Sequence, residues 1–268
     1  FDRHSYDIDG DDRSEAKLNE LIVFRQFLEP PNLLEVPTLD EDDGEDDLSE
    51  GVGLLSLDEH TKDVEGRLAI AVDGLHLNGL EPAIRKSATH HDLGKADLRF
   101  QAMLAGITPY EAILRPTLLG KGDGVRRTGA ERKAISDRAL YPRGFRHEML
   151  SVELVEHFKL ESKLPQRDLL LHLIAAHHGY ARPFAPVCTD DEGDDELRSV
   201  RILGKEVSAR DRKGWTPSHR LDSGIAERFW KLTREHGWWG LAWLEAILRL
   251  ADQQASAAEQ ERTEGDLR

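Results

Sequence analysis

Residues 89–104 read THHDLGKADLRFQAML, which sets the doublet His91-Asp92 between two stretches of helical periodicity. The upstream pattern covers about 82–90 and the downstream one about 95–104, so the doublet is expected where one helix hands over to the next. Neighbouring residues leave a single helical turn in different directions, and His91 and Asp92 can therefore serve two sides of one site. Gly94 is expected to loosen the backbone there.

Working outward, the surrounding chain is also helical. Leu57, Val64, Leu68, Ala71 and Leu75 recur at three- and four-residue spacing, and His60 falls on their face. Further helices are expected at about 147–158, 166–177, 224–236 and 239–258. Within 166–177 the apolar stripe includes Leu170, Leu173 and Ile174, and Gly179 is placed to cap the helix end. Strand character is confined to 199–207, SVRILGKEV, which alternates around a glycine and reads as a small β-hairpin or irregular insertion. The expected fold class is therefore all-α, a helical bundle with that small appendage.

Bulk properties narrow the function classes. The chain has 268 residues, 39% hydrophobic and 32% charged, enough for a sizeable core. Even 238–251, its most apolar window, contains Glu245 and Arg249, so no membrane helix is expected. Cys188 is the only cysteine, which rules out an internal disulfide and thiolate zinc sites and makes the cytoplasm the expected compartment. No secretory leader is visible, and the chain opens on Phe1 rather than Met, as a piece of a longer protein would.

The net charge of −15 is unevenly placed. Residues 1–50 hold 17 acidic against 4 basic side chains, a balance of −13, which leaves 34 against 32 for the remainder. A block such as EDDGEDD repels itself, so 1–52 is expected to be an acidic linker or tail, with the apolar run LIVFRQFL at 21–28 as a docking segment. The folded domain is expected to span 53–268. Within it, 115–146 carries nine Lys or Arg, which suits either a phosphate-binding track or a solvated loop.

Three more words carry chemistry: RHEML at 146–150, AAHHGYARPFAP at 175–186, and LRLADQQAS at 248–256. His147 stands at a helix start, His177 and His178 at a helix end, and Asp252 continues the stripe of Leu241, Leu244 and Leu248. Any one of these residues alone reads as structural. Together with His60, His91 and Asp92 they need a common partner, because imidazoles and carboxylates brought to apolar faces must be compensated. A divalent metal is the simplest such partner, and a carboxylate such as Asp92 can bridge two ions.

These words resemble the HD superfamily of phosphohydrolases. More narrowly, HDLGKADLRFQ, RHE, HHG followed by RPFAP, and LRLADQQAS are similar to the HD nuclease domain of the CRISPR-associated helicase-nuclease of type I systems. LDSGIAERFW and GWWGLAWLEAILRLAD resemble the variant in which that domain lies C-terminal to the helicase. The resemblance implies an HD-domain helical bundle over roughly 55–260. It implies one metal held by His60, His91, Asp92 and Asp252 and another by Asp92, His147, His177 and His178, with Lys95 facing the scissile phosphate.

The expected activity is metal-dependent hydrolysis of single-stranded DNA in CRISPR interference, with no protein nucleophile. Manganese, nickel, cobalt or iron suits a histidine-rich site better than magnesium, which prefers oxygen. The implied partners are single-stranded DNA, a helicase domain of the same protein and an RNA-guided surveillance complex. Phe100 or Trp215 is a candidate for base stacking. Spacing alone also allows Lys95 to be a solvated helix residue. Two other readings share the same residues: an HD phosphohydrolase of nucleotides or cyclic nucleotides, and a non-catalytic, metal-stabilised docking module.

Overall fold

The computed structural model of the chain describes residues 55–266, apart from 76, 78, 123–124, 126, 143, 189, 191–199, 203–204, 208–211 and 213. The expected acidic tail at 1–52 and its LIVFRQFL segment lie outside the described residues, as do Arg126 and Arg143 of the basic stretch.

Helix α1, Leu57–Asp73, opens on a capping box in which Ser56 Oγ accepts from the Glu59 backbone and Glu59 reaches back to Ser56. Its buried face is Leu57, His60, Val64, Leu68 and Val72. The expected Ala71 is exposed, because the stripe keeps stepping by four and Val72 takes the inward place. Helix α2, Glu81–His90, begins with Pro82 in its first turn, where the missing N–H costs no hydrogen bond.

The helix expected at 95–104 is split. A 3-10 turn, Leu93–Ala96, is followed by extended Asp97, whose side chain caps α3, Leu98–Ala105, by accepting from the Arg99 backbone. Two short helices absent from the sequence reading follow, α4 (Pro109–Ile113) and α5 (Gly129–Arg138), each started by a Thr-Glu capping box. Helix α6 is His147–His157 and α7 is Arg167–Ala176. The hairpin is β1, Val200–Ile202, antiparallel to β2, Lys205–Val207, with Val200 opposite Val207. After a 3-10 turn at Leu221–Ser223 comes α8, Ile225–Asp266, bent at Gly237 (φ 72°, ψ 166°). The two helices expected at about 224–236 and 239–258 are thus both present, joined through the non-helical backbone of Gly237.

Helix α7 runs through the centre. Leu169, Leu170, Leu171, Leu173 and Ile174 are all fully buried, so its apolar surface is much broader than a single stripe. It packs against α2, α6 and α8, while α1 fits between α2 and α8. A satellite cluster of Phe100, Leu104, Leu119 and Ala139 lies beneath α3. The architecture is an all-α bundle with a two-stranded appendage, and among the described residues no helix is long and apolar enough to cross a membrane.

Candidate metal centre

Five elements bring the chemistry-bearing side chains to one buried point. His60 comes from the first turn of α1, His91 and Asp92 from the turn after α2, His147 from the start of α6, His177 and His178 from the end of α7, and Asp252 from α8. Glycines make this convergence possible. A Cβ at Gly94 would lie 1.9 Å from the His147 carbonyl oxygen, so Gly94 lets the doublet's turn press against α6. The sequence-based expectation of a loosened backbone is corrected: the Gly94 amide donates to Ser151 Oγ at 2.8 Å, and that hydroxyl donates to the His147 carbonyl at 2.9 Å. Left-handed Gly179 (φ 89°) turns the chain just beyond His178.

Asp92 is at the middle, 2% exposed. Its Oδ2 is 3.4 Å from His60 Nε2 and 3.3 Å from His91 Nε2, while its Oδ1 is 3.1 Å from His147 Nε2 and 3.8 Å from His177 Nε2. His60 Nε2 also lies 3.2 Å from Asp252 Oδ1. Two sets of potential ligands result, His60-His91-Asp252 and His147-His177-His178, and within each set the donor atoms lie within 4.8 Å of one another.

The tautomers are fixed from outside the centre. Carbonyl oxygens only accept, so the Nδ1–H groups of His91 and His177 donate to Ala88 O (2.8 Å) and Ile174 O (2.7 Å). Their Nε2 lone pairs then point inward, buried and with no hydrogen-bond donor among the described residues. Burial lowers the pKa of both, and the neighbouring His178, His91 and His147 push His177 further down, so these imidazoles are neutral. Lone pairs aimed at a carboxylate repel it, and a cation placed among them removes the conflict. The donor set therefore fits divalent metal.

Burial opposes ionisation of Asp92, but the Lys95 ammonium and the hydrogen bond from His147 outweigh it and hold the carboxyl well below its ordinary value. Burial likewise opposes charge on His60, yet its hydrogen bonds to Asp252 and Glu259 raise it to about 8. Lys95 is buried, with Nζ 2.9 Å from Asp92 Oδ2 and donating to Gly120 O at 3.2 Å. The solvated reading of Lys95 is thereby excluded.

All seven expected ligand residues and Lys95 meet at this centre. Phe100 does not qualify for base stacking: it is fully buried, with its ring 5.2 Å from that of His147. Trp215 is half-buried, with its ring 4.9 Å from that of His157. The basic stretch is not uniform either, since Lys121 and Arg146 are buried in ion pairs with Glu259 and Glu148, whereas α5 has no buried residue. His172 is buried, with its Nε2 2.7 Å from Glu245. Sequence reasoning missed Glu259, which lies 3.0 Å from His60 Nδ1. Its one sequence signal is a seven-residue spacing from Asp252, two turns along the same helix face.

A helical bundle that gathers a His-Asp doublet, flanking histidines from three other helices and an aspartate from a fourth defines the HD class of metal-dependent hydrolases. Within that class, residues 51–260 match the family model described as Cas3, HD domain, and the chain belongs to that family. It is therefore an HD-type nuclease domain of the CRISPR kind. No curated protein matches the chain, and no solved structure does.

Proposed function

We propose that this domain hydrolyses phosphodiester bonds of single-stranded DNA during CRISPR interference, using two divalent ions. His60, His91, Asp92 and Asp252 would hold one, and Asp92, His147, His177 and His178 the other. The observation that carries this reading is the division of Asp92: one carboxylate oxygen faces each histidine set. Bound metal supplies an activated water and neutralises charge on the attacked phosphate.

The protein's own contribution is positional. Backbone carbonyls hold His91 and His177 with their Nε2 atoms inward, and Asp92 stays ionised in a buried place. Lys95 is assigned a catalytic role as a fixed ammonium beside Asp92 that adds positive charge where a phosphate is drawn in. Manganese, nickel, cobalt or iron is favoured over magnesium by the five imidazoles. A helicase domain of the same protein and an RNA-guided surveillance complex are the proposed partners that deliver the strand.

The test uses circular single-stranded DNA, which has no ends, with metal-stripped protein resupplied with manganese, nickel or magnesium in turn. Cutting is expected with manganese or nickel and is expected to fall to background in Asp92→Ala. Hydrolysis of mononucleotides or cyclic nucleotides with no cutting of the circle would overturn the polymer substrate. Metal uptake without turnover of either substrate would instead indicate a docking module.

A further inference from the structure

His60 is held differently from His91 and His177. His91 and His177 each donate to a carbonyl three residues earlier in their own chain segment. His60 Nδ1 instead faces a side chain, Glu259 Oε1, at 3.0 Å across 199 residues of sequence. A carboxylate can only accept, so Nδ1 carries a proton toward Glu259, while Nε2 faces Asp252 and Asp92 and is the nitrogen that would give up its proton to a metal. Because the two ring nitrogens point away from each other, Glu259 sits behind the imidazole and outside the ligand set.

Glu259 is itself held. Its Oε2 lies 2.6 Å from Lys121 Nζ, and both side chains are buried. Lys121 is carried by a short strip of chain stitched to the start of α1: the Leu57 amide donates to Leu118 O and the Gly120 amide to Leu55 O, each at 2.8 Å. A Cβ on Gly120 would come within 3.0 Å of His60 Cβ, so the same strip also walls the ring from the side.

We propose that Glu259, braced by Lys121, is the positioning residue for His60 and sets the strength of one metal position but not the other. A carboxylate behind a metal-ligating histidine fixes its orientation and raises its basicity, and loss of such a partner typically costs about 10–100-fold in metal affinity. The proposal rests on the two-metal reading of the centre. The alternative is that the Glu259-Lys121 pair only fastens α8 to the 118–121 strip.

The experiment measures manganese bound per chain and its affinity by equilibrium dialysis with elemental analysis, alongside the melting temperature of metal-free protein. Wild type is compared with Glu259→Ala, Glu259→Gln and Lys121→Met. Asp252→Ala and His178→Ala serve as references for loss at either position. Glu259→Ala is expected to weaken one manganese about 10–100-fold, matching the position lost in Asp252→Ala, and to leave the other unchanged. Glu259→Gln keeps an acceptor oxygen for Nδ1–H and is expected to recover most of the affinity.

Two manganese ions bound at wild-type affinity by Glu259→Ala would overturn the positioning role while leaving the two-metal reading intact. Equal weakening of both ions, in step with a lower metal-free melting temperature and without recovery in Glu259→Gln, would assign the pair to fastening alone. Wild-type protein that binds no manganese, nickel or cobalt would overturn the metal reading itself.

Discussion

At Gly94 the smallest possible addition is the most informative. A methyl group there would overlap the backbone of His147, which belongs to the rigid start of α6 and cannot rotate away. Gly94→Ala must therefore separate Asp92 from His147, and overpacking of this kind costs about 1–3 kcal/mol or more. Urea denaturation is expected to show that loss, with manganese uptake falling in the same protein; unchanged stability and uptake would contradict the close approach. Residues of this kind differ in how plainly they announce themselves. The His-Asp doublet and the His177-His178 pair stand out because two polar groups interrupt apolar patterns at helix ends. Glu259 sits in AEQER, which reads as a solvated helix end, and only the docking of α8 beside His60 gives it a partner.

Between the hairpin and α3 lies a cluster of charges whose role belongs to whole elements. Asp97, fully buried, caps α3 and accepts from Arg99, while Arg212 reaches the same carboxylate at 3.0 Å and Arg99 also pairs with Asp190. Asp97 pairs with Val200 of β1 through a backbone bridge as well, so the hairpin is fastened to the entrance of α3. Burial raises the Asp97 pKa, but the adjacent Arg99 and Arg212 overcome it and leave it below the ordinary value. A depressed carboxyl stabilises the fold above its unfolded pKa, about 3.9, and that contribution drains away as pH falls through the folded value.

Asp97→Asn is accordingly expected to cost about 3–5 kcal/mol near neutrality, as breakage of a buried pair does, and to flatten the loss of stability below about pH 4. Melting curves from pH 3 to 7 check both parts, and an unchanged acid slope would show that Asp97 is not the group being titrated. None of this clustering is visible in the sequence, where Asp97, Asp190 and Arg212 are far apart and unremarkable. The same limit explains α5: with no buried residue it has no apolar stripe, and only its Thr128-Glu131 capping box marks it. The split before α3 was hidden because Asp97 keeps helical spacing while its side chain serves as a cap.

For the molecule as a whole, a bound cation would tie α1, α2, α6, α7 and α8 together, so occupancy and global stability should be linked. Metal at one hundred times its dissociation constant adds about 2.7 kcal/mol per site, which for a domain of this size raises the melting temperature on the order of 5–10 °C. A chelator is expected to reverse the rise, and Asp92→Asn to abolish it; a melting temperature indifferent to manganese would mean that the centre does not bind it. At this scale the sequence was most legible. Helical periodicity and the scarcity of strand signals gave an all-α bundle, because most of the burial here is between regular helices. What it could not supply was the order of packing, above all the fit of α8 against α1.

That pairing of α1 with α8 has a consequence in time. Within this domain His60 leaves the ribosome 199 residues ahead of Glu259, with Asp252 emerging only shortly before Glu259. Every nascent chain short of α8 therefore carries a half-assembled centre, with His60 lacking both of its carboxylate partners from that helix. The candidate ligand set is therefore completed only once α8 has been made, and a chain that stops before it lacks Asp252 and the carboxylate behind His60.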